Sequence, residues 1–168
     1  MSTGPQQHIP EQSFTPIREG VTMNFAQDNR AVAAAVVTMV AFNGVFLSVN
    51  GLFMLINPLV WYELIPGVTD TGFFNQHFIR DIGIIQLFLG VAFAAGMVLP
   101  ERRVGLWAVA TAWLCAHALF HFWEVAVGIC SPAALPRDFP AVTMPAIFGI
   151  VLVLWATRRS GSKQPATA

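Results

Sequence analysis

The feature of this sequence that most constrains its fold is a long segment without any charged residue. Residues 31–56 read AVAAAVVTMVAFNGVFLSVNGLFMLI and contain no Asp, Glu, Lys or Arg. A helix of that length rises about 39 Å at about 1.5 Å per residue, so it can cross the roughly 30 Å hydrocarbon core of a bilayer with some tilt. The segment therefore predicts a transmembrane helix.

Three later segments have the same apolar character, and polar stretches separate them. PERR (100–103) divides the second segment from the third, and CSPAALPRDFP (130–140) divides the third from the fourth. The chain is 55% hydrophobic and only 11% charged, as is typical of a membrane protein. Because lipid offers the backbone no hydrogen-bond partner, such segments are expected to be helical. The sequence predicts an all-α, integral membrane four-helix bundle with spans at 31–56, 77–99, 104–129 and 141–157.

The residues outside the spans predict tails and an orientation. Residues 1–30 are polar and lack the apolar core of a signal peptide, so we expect a polar tail with at most one short surface helix, and residues 158–168 form a second tail. The 57–76 connection has no Lys or Arg, and the 130–140 connection has only Arg137. The positive-inside rule therefore places both termini in the cytoplasm. The basic flanks contain Arg102, Arg103, Arg158, Arg159 and Lys163.

The charge balance argues against a nucleic-acid partner, and the cysteine spacing argues against an internal disulfide. Lys+Arg and Asp+Glu number 9 each, so no strongly basic surface predicts a nucleic-acid partner. Cys115 and Cys130 lie about 22 Å apart along one predicted helix, too far for a disulfide. The expected partners are the lipid bilayer and either other membrane subunits or further copies of this chain.

Small and amide side chains inside the spans predict close helix packing. Gly44 and Gly51 are seven residues apart, as are Gly83 and Gly90, and small residues at such spacing let two helices approach closely. Asn43 and Asn50 share one face of the first span and are expected to bridge helices.

Titratable residues within the second and third spans predict a polar cluster in the outer leaflet. His77 and Asp81 are four residues apart near the start of the second span, and HALFHFWE (117–124) lies near the end of the third. On each helix these residues share one edge, and the antiparallel arrangement brings the two edges to similar depth. Ionisable residues within spans normally face inward, pair with each other and mark functional sites. The candidate metal ligands are His77, Asp81, His117, His121 and Glu124.

Several chemistries fit that cluster, and the sequence does not choose between enzyme and non-enzyme. Three imidazoles and two carboxylates suit zinc, copper or iron. A b-type haem is an alternative, with His77 and either His117 or His121 as axial ligands and Arg80 holding a propionate, as is a quinone pocket. Asn50, at a similar depth, is a further candidate cofactor contact. The remaining alternatives are a proton or ion relay and a cofactor-free polar network that only sets helix register in an accessory subunit.

Parts of the chain resemble a group of small four-span bacterial membrane proteins, the DoxX-like proteins. The resemblance rests on Gly44 in the opening span, on GLFMLINP (51–58) at its end and on HFIRDIG (77–83) at the start of the second span. It covers most of residues 31–157. It implies a four-span fold in a bacterial cytoplasmic (inner) membrane and, from a few members, a role as a quinone-linked oxidoreductase subunit. The H-x-x-x-H-x-x-E pattern of the third span is not part of the resemblance, so no catalytic role is implied for it.

Overall fold

The computed structural model describes the backbone of residues 18–161 and the side chains of residues 29–160, and every regular element in that part of the chain is helical. The chain divides into two compact units, Met1–Ala34 and Ala35–Ala168. The elements, in chain order, are α1 (Arg18–Ile56), α2 (Pro58–Leu64), a 3-10 turn (Val68–Asp70), α3 (Gln76–Val98), α4 (Arg103–Ala126), α5 (Ala134–Asp138), a π turn (Phe139–Thr143) and α6 (Met144–Gly161).

Four helical segments are long and apolar enough to cross a membrane, which confirms the predicted all-α four-span architecture. They are Asn29–Ile56, Gln76–Val98, Arg103–Ala126 and Ala134–Ser160. The third ends three residues earlier than predicted because Gly128 adopts a left-handed conformation, with φ +79, just beyond it. The fourth begins earlier than predicted because α5, the π turn and α6 follow one another without a break.

The first helix differs from the expected polar tail. A short surface helix was expected in residues 19–30, separate from the first span, but α1 is continuous from Arg18. The remaining tail residues, 1–17 and 162–168, lie outside the described part of the chain.

Asparagine side chains cap the first turns of α2 and α3. The Asn57 side-chain oxygen accepts a hydrogen bond from the Val60 amide at 3.4 Å, and Pro58 occupies the first position of α2, where its missing N–H costs nothing. Asn75 caps α3 in the same way, accepting from the Phe78 amide at 3.1 Å. The connection between the first and second spans therefore contains a short helix.

Glycines bring α1 and α3 into backbone contact. A Cβ atom at Gly51 would lie 2.6 Å from the carbonyl oxygen of Gly83, and one at Gly90 would lie 2.8 Å from the carbonyl oxygen of Gly44. Both distances are shorter than any normal carbon–oxygen contact, so the two helices pack this closely only because these positions lack side chains. The predicted close approach is confirmed.

Amide side chains join the helices laterally, as predicted. Asn43 is fully buried, and its Nδ2 donates to the carbonyl oxygen of Pro145 in α6 at 3.0 Å. Asn50 Nδ2 donates to Gln86 Oε1 of α3 at 2.7 Å. Each bond links α1 to a different helix, so together they fix its rotation within the bundle.

The buried interior is formed by residues of α1, α3, α4 and α6, whereas large apolar side chains cover the outside. Trp107 is fully buried, and its indole N–H donates to the carbonyl oxygen of Phe93 at 3.0 Å, which ties α4 to its antiparallel neighbour α3. Phe88 and Val109, by contrast, are 70% and 74% exposed. An apolar exterior of this kind is consistent with contact to lipid.

A π turn precedes α6. The Met144 amide donates to the carbonyl oxygen of Phe139, five residues back, rather than four. Pro145 has no N–H to offer the carbonyl of Ala141, and its ring would crowd that carbonyl in a regular α-helix. The wider turn accommodates the proline within a continuous span.

Candidate functional site

The predicted ligands lie at one end of the bundle, where α3 begins and α4 ends. His77 and Asp81 occupy the first turns of α3, with His77 Nε2 3.3 Å from Asp81 Oδ2. Their side chains are 91% and 54% exposed. They form a surface pair within one helix, of the kind that contributes little to stability.

The histidines of α4 form a separate row. The Trp113 and His117 rings stack with centroids 5.0 Å apart, and the His121 ring meets His117 edge to face at 4.8 Å. The three residues recur every four positions, so they follow one edge of α4. The row ends at α5, where His121 Nδ1 lies 3.5 Å from Asp138 Oδ2.

Arg137 extends this row into the neighbouring connection. Its Nε donates to Asp138 Oδ1 at 2.7 Å and its Nη2 to Asp138 Oδ2 at 3.2 Å, a two-pronged pairing with one carboxylate. Arg137 Nη1 also lies 3.5 Å from Asp70 Oδ2, in the connection between α2 and α3. We call His121, Asp138, Arg137 and Asp70 the outer polar network, after the outer leaflet in which the sequence predicts the polar cluster to lie.

Gly67 makes room for the guanidinium of Arg137. Its φ is +83, a conformation that favours glycine, and a Cβ atom at this position would overlap the Arg137 guanidinium. The outer polar network therefore holds together the two connections at this end of the bundle, one before α3 and one before α6.

Arg80 and Asn50, the candidate cofactor contacts, already have partners within the protein. Arg80 Nε donates to the carbonyl oxygen of Leu55 at 3.1 Å, in the last turn of α1, where helix carbonyls lack internal donors. Asn50, besides donating to Gln86, accepts a hydrogen bond from Trp61 Nε1 at 2.9 Å. Both residues join elements to each other.

The five candidate ligands do not form one centre in the described structure. Among the described residues, no three His, Cys, Asp or Glu side chains are grouped so that they could hold one metal ion. The edge of α4 that carries His121 meets Asp138 of α5, whereas the prediction directed it at His77 of α3. Glu124 is half-buried one turn beyond His121. No grouping among the described residues supports the predicted five-ligand metal site, which stays a prediction.

The candidate axial haem ligands have partners within the protein. His77 is on the surface with Asp81, and His117 packs between the rings of Trp113 and His121. The haem hypothesis stays a prediction.

The network residues outside the predicted spans were not identified as site residues from the sequence. Asp138 and Arg137 stand in a proline-rich connection, and Asp70 in a polar one, where charged residues are normally solvated. One signal was available: the adjacent Arg137 and Asp138 are the only charges in the 130–140 connection, directly beside a span.

Cys130 lies next to this region, in the connection that leaves α4. Burial raises the pKa of its thiol above the ordinary value, and the negative charge of Glu124 raises it further. The environment therefore favours the neutral thiol.

Comparison with known proteins adds no relative. The chain matches no protein-family profile, no curated protein and no solved structure. Its function is therefore inferred from the arrangement of its own residues.

Proposed function

We propose that this chain is a multi-pass membrane protein that serves as a non-catalytic accessory subunit, in which polar residues fix the packing of the helices. One observation carries the proposal: polar side chains that the sequence marked as cofactor contacts or ligands bond instead to other elements of the chain. Asn50 joins α1 to α3, Arg80 joins α3 to the end of α1, and His121 joins α4 to α5.

The energetics of polar groups in lipid support this role. A charged side chain at the centre of a span costs about 2.5–3.5 kcal/mol on insertion scales, and pairing offsets that cost. Hydrogen bonds between membrane helices contribute about 0.6 kcal/mol on average, and up to about 2 kcal/mol. Several such bonds select one helix arrangement over others of similar apolar packing.

The accessory role is tested by the coupling between paired residues. Asn50→Ala and Gln86→Ala should each lower the free energy of unfolding in detergent by about 1 kcal/mol, and the double variant should lose less than the sum. His77→Gln is the control, because a side chain 91% exposed supports no other element. Additive losses at Asn50 and Gln86 would contradict a role in helix packing.

A second candidate function is a redox subunit, as the DoxX-like resemblance implies. The row Trp113–His117–His121–Asp138 favours it, because two adjacent imidazoles ending on a carboxylate could exchange protons with a bound quinone. A transition metal held by part of this row belongs to the same candidate.

Metal analysis and a visible spectrum of the detergent-purified protein separate the two candidates. The accessory role predicts neither stoichiometric metal nor a chromophore, in wild type and in His117→Gln alike. One metal ion or one chromophore per chain, lost in His117→Gln but retained in His77→Gln, would overturn the accessory role and support the redox candidate. Extracted quinone retained by wild type and lost in His117→Gln would do the same.

A further inference from the structure

Four arginines lie at the end of the bundle opposite the outer polar network. Arg102 and Arg103 stand at the start of α4, and Arg158 and Arg159 at the end of α6, which runs antiparallel to α4. The Cζ atom of Arg103 lies 5.6 Å from the ring centroid of Trp155, and that of Arg159 lies 5.2 Å from the same ring. We call these four residues and Trp155 the arginine end.

The guanidinium of Arg103 is held in place by the helix that precedes it. Its Nε donates to the carbonyl oxygen of Gly96 at 2.7 Å, and its Nη2 to that of Met97 at 3.2 Å, both in the last turn of α3. It also lies 5.3 Å from the ring centroid of Trp107. Among the described side chains no carboxylate forms an ion pair with it, so a positive charge is fixed at this end of the bundle.

The charges at the arginine end repel one another. Since both guanidinium groups face Trp155, the Cζ atoms of Arg103 and Arg159 are at most about 11 Å apart, close to the Debye length of about 8–10 Å at moderate salt. Between residues 35 and 160, the only carboxylate at this end is Glu101, against the guanidinium groups of Arg102, Arg103 and Arg158. A bound anion would relieve this repulsion.

Arg102 and Arg158 are the residues most open to such an anion. Both are exposed, and no ion pair within the described residues involves either of them. They flank Arg103 and Arg159 in the chain, so they add two exposed guanidinium groups to the fixed positive charge. Guanidinium groups pair well with phosphate oxygens.

The position of the arginine end identifies the source of the phosphate. It lies at the ends of three helices long and apolar enough to cross a membrane, and indole rings accompany it, as they do at the headgroup level of bilayers. A zwitterionic headgroup would bring a cation to a site that is already positive. We propose that the arginine end binds the headgroup of an anionic phospholipid.

Nanodiscs of phosphatidylcholine with increasing fractions of phosphatidylglycerol test this proposal. Native mass spectrometry of the released protein measures which lipid is retained. Wild type should retain phosphatidylglycerol in preference to phosphatidylcholine, and the double variant Arg102→Gln/Arg158→Gln should lose about tenfold of that preference, since each basic residue contributes a few-fold. Arg102→Lys/Arg158→Lys should keep most of it.

The controls separate a lipid site from a general effect of net charge and from a site for free phosphate. Arg137→Gln removes one positive charge at the opposite end and should leave the lipid preference unchanged. Equal retention of both lipids by wild type, or an unchanged preference in the Arg102→Gln/Arg158→Gln variant, would overturn the proposal. Displacement of phosphatidylglycerol by inorganic phosphate at similar concentration would also overturn it, because the site would then bind free phosphate.

Discussion

Individual residues at the outer polar network meet several requirements at once. Gly67 must adopt a positive φ and must also leave space for the Arg137 guanidinium, so any other residue there would be strained and would displace the arginine. Arg137 in turn pairs with Asp138 and Asp70, which belong to different connections. Substitution of one of these residues is therefore expected to destabilise both connections.

The reactivity of Cys130 reports on the charges around it. Its raised pKa means that less thiolate is present at a given pH, and only the thiolate reacts with alkylating agents. In a Cys115→Ala background, iodoacetamide should modify the folded protein more slowly than the denatured chain near pH 8. As the pH is raised, the rate of modification in the folded protein should keep rising after the rate in the denatured chain has levelled off, because the denatured thiol has a pKa of about 8.5.

Glu124→Gln removes one of the negative charges that raise this pKa, so it should speed the modification of Cys130 at fixed pH. Glu63→Gln is the matched control, because Glu63 is not among the groups that shift the Cys130 pKa. Unchanged or slower modification in Glu124→Gln would contradict the assigned electrostatic cause.

At the level of the elements, α1 and α3 depend on close backbone packing. Their contact places backbone atoms of one helix where side chains of the other would normally lie. Van der Waals packing is the main attraction between helices in lipid, since burial from water has already occurred on insertion. A small increase in the separation of α1 and α3 is therefore expected to lower stability more than the loss of a small area of apolar surface.

Gly51→Ala should destabilise the bundle. Its Cβ would meet the Gly83 carbonyl oxygen at 2.6 Å and the Leu87 amide at 2.9 Å, and neither backbone atom can move away independently. We expect a loss of about 1–3 kcal/mol in the free energy of unfolding, measured by circular dichroism during SDS titration of detergent-solubilised protein. Gly105→Ala is the control, because open space surrounds its Cβ position, and it should change stability by less than about 0.5 kcal/mol. Equal effects of the two substitutions would refute a role for close packing at Gly51.

Much of this element-level structure could be predicted from the sequence. Apolar length and charge exclusion identify four spans because the bilayer imposes both, and glycines seven residues apart in two neighbouring spans identify the α1–α3 contact. The partner of His121 could not be predicted in the same way. Periodicity gives the edge of α4 on which His121 lies, but the five-residue α5 that carries Asp138 to it has no periodic signal of its own.

At the scale of the whole bundle, charge is distributed unequally between the two ends. Between residues 35 and 160, five carboxylates and two arginines lie at the end with the outer polar network, a formal balance of −3, against +3 at the arginine end. Positively charged flanks are retained on the cytoplasmic side during insertion. The positive-inside rule applied to this distribution is the basis of the predicted orientation, with the arginine end in the cytoplasm, and that orientation stays a prediction.

Cysteine accessibility tests this orientation. In a chain with Cys115→Ala and Cys130→Ser, a membrane-impermeant maleimide should label Thr69→Cys from outside in intact cells, because Thr69 is exposed in the connection before α3. It should label Ser160→Cys, at the end of α6, only after permeabilisation. Denatured samples control for total thiol. The reverse pattern would show that the arginine end faces outward.

The π turn before α6 also sets the rotational phase of that helix. Successive residues of an α-helix are about 100° apart, so the single extra residue taken up by Phe139–Thr143 rotates everything after it by about that angle. With the turn in place, Leu152 and Ala156 point into the interior. The same sequence wound as a regular α-helix would direct Val151 and Trp155 there instead. Homologous sequences that lack the wide turn should therefore be one residue shorter between Phe139 and Leu152, which keeps Leu152 in the interior.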